Sequence, residues 1–359
     1  MEVRADLAAP DGRDPRIDLL RGLFVARMLL VHFGWVGGPF VWPFGAVSAA
    51  GGFFLLSGVT LGRVGRRRAA AGRSREFALR LWRRALWLWV VNTALVLALR
   101  QLEGSRVLPG GFLAGYWDGA PRWLQILSFD QPSVLHVLPR YVVFLLLAPL
   151  VLAALRAGCG IWVGALSVLL WLANRMPYGS LLLAPFETAE ASFPLASWQL
   201  LFVAGILVGH RRWGEDDAGH LPRAVVAIAV PLTLAFAVHR QLAVPGLLES
   251  APEWLYLWFG RNYLGPLRLL NLLALAITLW WVVDRWLVPV RRLCGPFLEP
   301  FGRQALVAYL LHVPLVWTLA CLPQSARGAF AVPLAAIAAL ALVGWLARLL
   351  PVQRLLRPV

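Results

Sequence analysis

Arg16, Asp18, Arg21, Arg27 and His32 fall in one segment that runs into an apolar stretch long enough to cross a bilayer. Ionisable groups at such depth are costly, so they face protein or water and serve a function. Arg21 and His32 are eleven positions apart, which at 3.6 residues per turn returns to within about 20° of one helical face, roughly 16 Å along the axis. Asp18, three residues before Arg21, joins the same stripe. One helix thus aligns a carboxylate, a guanidinium and an imidazole, with Arg27 rotated away. A neutral imidazole, with an ordinary pKa of about 6.5, takes a proton from a hydroxyl and returns it. Arg21 can hold a phosphate or carboxylate, and Asp18 can orient it. The competing reading is structural: an Asp18–Arg21 ion pair at the helix entrance, and a His32 side chain bonded to a neighbouring carbonyl.

Other candidates are scattered along the chain. Ser57 closes the run Gly51, Gly52, Phe53, Phe54, Leu55, Leu56, where small residues allow close helix approach. Packing comes ahead of a nucleophilic Ser57. Arg80 and Arg83 share a helical face and, with Arg84, follow Arg66, Arg67 and Arg68. They can grip a phosphate together or simply anchor a helix at a cytoplasmic face. His312 lies some two turns beyond Arg303, and either joins a cavity or packs. His136 with Arg140, four residues apart, and Trp198 with Gln199 are open in the same way. Cys159, Cys294 and Cys321 have no metal-like spacing, so neither a disulfide scaffold nor a metal site is expected.

The elements that must position these groups are membrane helices. The chain has 359 residues, 60% of them hydrophobic and 14% charged, with a mean hydropathy of +0.69. These values lie outside the soluble globular range. About ten spans are predicted, centred near Val25, Phe54, Val91, Leu146, Val168, Val203, Ala229, Leu275, Leu311 and Leu340. The fold class is therefore an all-α, polytopic membrane bundle. In that layout the N-terminus, the even-numbered loops and the C-terminal tail hold 23 of the 34 Arg, the opposite loops hold 8 and the spans 3. Loops rich in Arg stay in the cytoplasm, so both termini are predicted cytoplasmic. Residues 1–16 form a cytoplasmic segment with no cleavable signal, 17–351 the membrane domain, and 352–359 a cytoplasmic tail.

The net charge of +16 follows from that topology, and nucleic acid is excluded as a partner. Anionic headgroups of membrane lipid, or a polyanionic soluble substrate, suit the basic face. Three outer loops, about Gln101 to Pro132, Met176 to Ala196 and Gln241 to Pro266, carry the seven acidic residues placed outside. No internal repeat is apparent, so the inverted-repeat signature of many transporters is missing.

The Arg16 to Gly22 opening, the Arg21 to His32 spacing, Phe53 to Gly58, the Arg80 and Arg83 pair and Tyr309 to His312 resemble the membrane-bound acyltransferase-3 superfamily. The segments Leu138 to Tyr141 and Ser197 to Gly205 resemble its OpgC-like branch, named for enzymes that succinylate osmoregulated periplasmic glucans. The resemblance implies a bacterial inner-membrane O-acyltransferase. Such an enzyme moves an acetyl or succinyl group from cytoplasmic acyl-CoA, a substrate and not a resident cofactor, to a hydroxyl of an extracytoplasmic carbohydrate. It assigns His32 as general base, Arg21 and Asp18 as its companions, and Arg80, Arg83, Arg84 and Arg16 to the donor. His312, Arg27, His136, Arg140 and Ser57 are cavity candidates. A transporter or flippase, with the buried Asp, Arg and His groups on a substrate or proton path, is the alternative.

Overall fold

Asp14 caps the first helix by accepting from the Arg16 backbone N–H at 3.0 Å, and Pro15 follows at the first helical position, where its missing N–H costs nothing. That helix, α1, runs Pro15–His32. The computed structural model describes residues 13–33, 42–104, 135–176, 193–211, 221–242, 258–260, 263–320, 337–338 and 340–346. The three outer loops lie largely outside the described residues, as do both chain ends, including the tail 352–359, and Cys321.

All regular structure among the described residues is helical. After α1 and a short turn of 3₁₀ helix at Trp42–Phe44 come α2 (Ala49–Ala70), α3 (Ser74–Gly104), α4 (Val137–Arg156), α5 (Gly160–Ala173) and α6 (Leu195–His210). The chain continues through α7 (Arg223–Leu242), α8 (Pro266–Arg285), α9 (Leu287–Arg303) and α10 (Ala305–Ala320). Among the described residues, three segments are long and apolar enough to cross a membrane: Val137–Arg156, Arg223–Arg240 and Pro266–Arg285. Gly160–Ala173, Leu195–His210 and Ala305–Val316 are apolar but shorter. Leu150, Ile161 and Ile228 are exposed, as side chains facing lipid tails would be. Every predicted span centre falls on helix.

The helix not anticipated is α9, in a stretch read as a cytoplasmic loop. Its 17 residues include Arg291, Arg292, Glu299 and Arg303, with Pro296 and Pro300 inside, and charge and proline both argue against a span. It forms because one side is apolar and finds a partner: Phe301 is buried, and Gly295 and Gly302 are buried beside it.

The described chain divides into two compact units, with α2 contributing residues up to Leu56 to the first and from Ser57 to the second. In the first, α9 packs along α1, α10 also meets α1, and α7 lies against α8. Thr233 of α7 and Thr278 of α8 share a hydrogen bond of 3.0 Å. In the second, α3 pairs with α4 and α5 with α6. Gln199 donates to Ser167 O at 2.7 Å and accepts from the Ser167 hydroxyl at 2.7 Å, while Asn174 donates to Ser197 at 2.8 Å. Such side-chain bonds between helices hold membrane bundles together where lipid removes the hydrophobic drive.

Candidate active site

The α1–α9 contact is closer than ordinary helix packing allows for residues with side chains. A Cβ added to Gly22 would stand 2.0 Å from Leu298 O, and one on Gly302 would stand 1.8 Å from Asp18 O. With the backbones that close, the Arg21 guanidinium reaches across and donates Nη1–H to the Gly302 carbonyl at 3.2 Å. Asp18, only 3% exposed, gathers three cations. Arg13 clasps it with two bonds of 3.0 and 3.1 Å, Arg303 stands at 3.8 Å and Arg21 at 3.9 Å. Arg303 also pairs with Glu299 at 2.8 Å, and Glu299 with Arg291 at 2.7 Å. Of the two readings open for Asp18 and Arg21, the observed contacts are those of the ion pair, enlarged into a clamp between helices. Arg16 binds Asp14 at 3.0 Å and Asp284 of α8 at 2.6 Å, and lies 4.7 Å above the Trp280 ring.

At the other end of α1, His32 Nδ1 lies 2.8 Å from His312 Nε2. Their rings are nearly parallel, 21° apart, with centroids at 5.0 Å, which fits a hydrogen bond in the ring plane. His312 is fully buried, and its Nδ1 is bonded to the Tyr309 carbonyl in the preceding turn. A carbonyl only accepts, so His312 carries its hydrogen on Nδ1, and in the neutral pair its Nε2 is the acceptor. His32 then carries its hydrogen on Nδ1 and its lone pair on Nε2. Tyr309 and Phe33 pack edge-on against the His312 ring and hold it in place. Sequence reasoning left His312 undecided, because nothing in the sequence links it to a histidine 280 residues away.

Arg27 is buried on another side of α1, 4.4 Å from the Phe44 ring centre, and its Nε finds no hydrogen-bond partner among the described residues. Arg240 and Arg268 add like charge around it.

The remaining candidates lie in the second unit. Arg80 pairs with Glu76 one turn back on α3. Arg83 is exposed, whereas Arg84 is half-buried with a buried Nε that finds no hydrogen-bond partner among the described residues. The cause is rotation: the buried stripe of α3 runs through Phe77, Leu81 and Leu88, and Arg84 lies about 20° from Phe77 around the axis, against about 120° for Arg83. His136 and Arg140 are both buried; Arg140 donates to Phe193 O at 3.2 Å and to His136 O at 3.4 Å. The His136 ring meets the Phe193 ring edge-on. Ser57 is buried, and a Cβ on its neighbour Gly58 would stand 2.2 Å from Phe202 O of α6, so this stretch is a close-packing seam.

No match is found among curated proteins, and none among solved structures. The family described as OpgC protein matches residues 13–105 and 118–353, which takes in both the Asp18 clamp and the two histidines. A match over most of its length makes this helical chain, with helices long and apolar enough to cross a membrane, a member of the OpgC protein family.

Proposed function

We propose that this chain is a membrane-bound O-acyltransferase that moves an acetyl or succinyl group from cytoplasmic acyl-CoA to a hydroxyl of an extracytoplasmic carbohydrate such as a periplasmic glucan. Membership of the OpgC family supports a transferase that acylates glucans. The resemblance of its motifs to the acyltransferase-3 superfamily extends that to the acyl-CoA donor. The observation that carries the mechanism is the His32–His312 hydrogen bond.

In this reading His32 Nε2 takes the proton of the acceptor hydroxyl as its oxygen attacks the thioester carbonyl. The carbon–sulfur bond then breaks, the ester forms, and the proton passes to the departing thiolate. His32 becomes a cation while it holds the proton. Its Nδ1–H bond to His312 becomes charge-assisted at that moment, which favours the charged intermediate over the resting state. General-base assistance of this kind is worth about 10²- to 10⁴-fold in rate. His312 is a positioning residue, since it acts on His32 and not on substrate. Asp18, Arg21, Arg13 and Arg303 fix the α1–α9 pair that carries the base. Arg80, Arg83, Arg84 and Arg16 are assigned to the donor side.

The proposed setting is a bacterial inner membrane with ten spans, both termini in the cytoplasm, and residues 17–351 as the membrane domain. The test is release of free coenzyme A by detergent-purified protein given acetyl-CoA or succinyl-CoA, with and without glucan. Glucan-dependent release from either donor is the predicted result and names the acyl group. Absence of release and of acylated acceptor, across several carbohydrates and with folded protein, would favour transport.

A further inference from the structure

The second unit holds a cleft that none of the assignments above uses. Gly65 of α2, Ser74 and Phe77 at the start of α3, Leu152 and Arg156 at the end of α4, and His210 closing α6 line it, around ≈ 350 Å³ of empty space that includes open solvent. No carboxylate is among its lining residues. Space at Gly65 is limiting, because a Cβ there would stand 2.7 Å from Leu152 Cδ1.

A basic residue at the last turn of a helix is ordinarily explained by the carbonyl dipole it offsets, and Arg156 and His210 both occupy such positions. That explanation stops short here. Arg66 and Arg156 both place positive charge near His210, so the dipole alone does not account for the cluster. His210 Nδ1 is buried and finds no hydrogen-bond partner among the described residues. Ser74 brings a hydroxyl at the start of α3, the end of a helix that favours negative charge, and Glu76 in that first turn is paired with Arg80. Phe77 and Leu152 add apolar lining. A cleft that combines a guanidinium, an imidazole and a hydroxyl with hydrocarbon suits a phosphoryl group attached to a partly apolar molecule.

We propose that this cleft is a phosphoryl-binding site, with Arg156, His210 and Ser74 as its ligands, and that it takes a phosphate of the nucleotide end of acyl-CoA. This rests on the acyltransferase reading. In the proposed topology the ends of α2, α4 and α6 and the start of α3 all face the cytoplasm, where acyl-CoA is available.

The test is calorimetric binding of coenzyme A to the purified full chain, as wild type, Arg156→Gln and His210→Gln, in nanodiscs of phosphatidylcholine and of phosphatidylglycerol. Thermal unfolding of each variant serves as the folding control. The expected result is tenfold or greater weakening of coenzyme A binding in Arg156→Gln and a smaller loss in His210→Gln, with unfolding midpoints unchanged. Unchanged binding in both folded variants overturns the site and leaves the acyltransferase reading standing. Coenzyme A binding that disappears for wild type in phosphatidylglycerol alone, but persists there for Arg156→Gln, assigns the cleft to a lipid phosphate and overturns the donor assignment. A wild type that binds no coenzyme A in either lipid overturns both.

Discussion

His312 Nε2 accepts from His32 Nδ1 across 2.8 Å, joining α10 to α1 between residues 280 positions apart. The bond to Tyr309 O fixes the His312 hydrogen, and that in turn fixes which nitrogen of His32 carries the lone pair. His312→Gln keeps an acceptor near His32, and His312→Phe removes it. We expect kcat to fall about tenfold for Gln and about 100-fold for Phe, by analogy with the range found when groups that orient metal-bound histidines are removed, with KM for acyl-CoA little changed. Separate determination of kcat and KM checks this, and a change confined to KM would show that His312 contacts donor instead.

Gly22 and Gly302 bring two backbones together. Replacing Gly by Ala inside a helix ordinarily helps, by about 1 kcal/mol. Here Gly22→Ala and Gly302→Ala place a methyl within 2.0 and 1.8 Å of a facing carbonyl oxygen, so the helices must part. Overpacking of this kind costs about 1–3 kcal/mol or more. Both variants should unfold at lower temperature than wild type in detergent; an equal or higher midpoint would contradict the observed approach.

Asp18→Asn removes the negative centre of three arginines. Breaking a fully buried pair costs about 3–5 kcal/mol. The loss here should be smaller, because Arg303 and Arg13 keep 36% and 24% of their side-chain surface exposed and water screens them. The prediction is a lowered unfolding midpoint, partly recovered when Arg303→Gln is added to Asp18→Asn. A double-mutant cycle measures the coupling, and strict additivity would mean that Asp18 and Arg303 share no interaction energy.

Among the arginines proposed for the donor side, Arg84 is half-buried and Arg83 exposed. Arg84→Gln should raise KM for acyl-CoA several-fold at unchanged kcat, with Arg80→Gln intermediate and Arg83→Gln least. Steady-state kinetics at varied donor concentration gives the ranking, and a dominant Arg83 effect would place the donor on the exposed side of α3.

Much of the helical pattern was legible because lipid demands long apolar runs, and the Arg21 to His32 alignment was legible because it lies on one helix. What escaped was tertiary. The helix α9 carries too much charge and proline to resemble a span, and its register against α1 depends on two glycines whose significance appears only with the partner backbone in place. Likewise Asp18 was read with Arg21 alone, since Arg303 is brought to it by that same contact. His312 had only the three-residue step to Tyr309 to mark it, and its link to His32 is purely spatial. The ranking of Arg84 over Arg83 needed the direction of the buried face of α3.

The most direct measurement is acyl transfer by folded His32→Ala protein beside wild type, with acceptor product and free coenzyme A both quantified. Removing the proposed base should lower transfer by about 10²- to 10⁴-fold while thermal unfolding and coenzyme A binding stay near wild type. Near-normal acylation by folded His32→Ala protein would contradict the account, because no proton would then pass through the histidine that His312 holds in place.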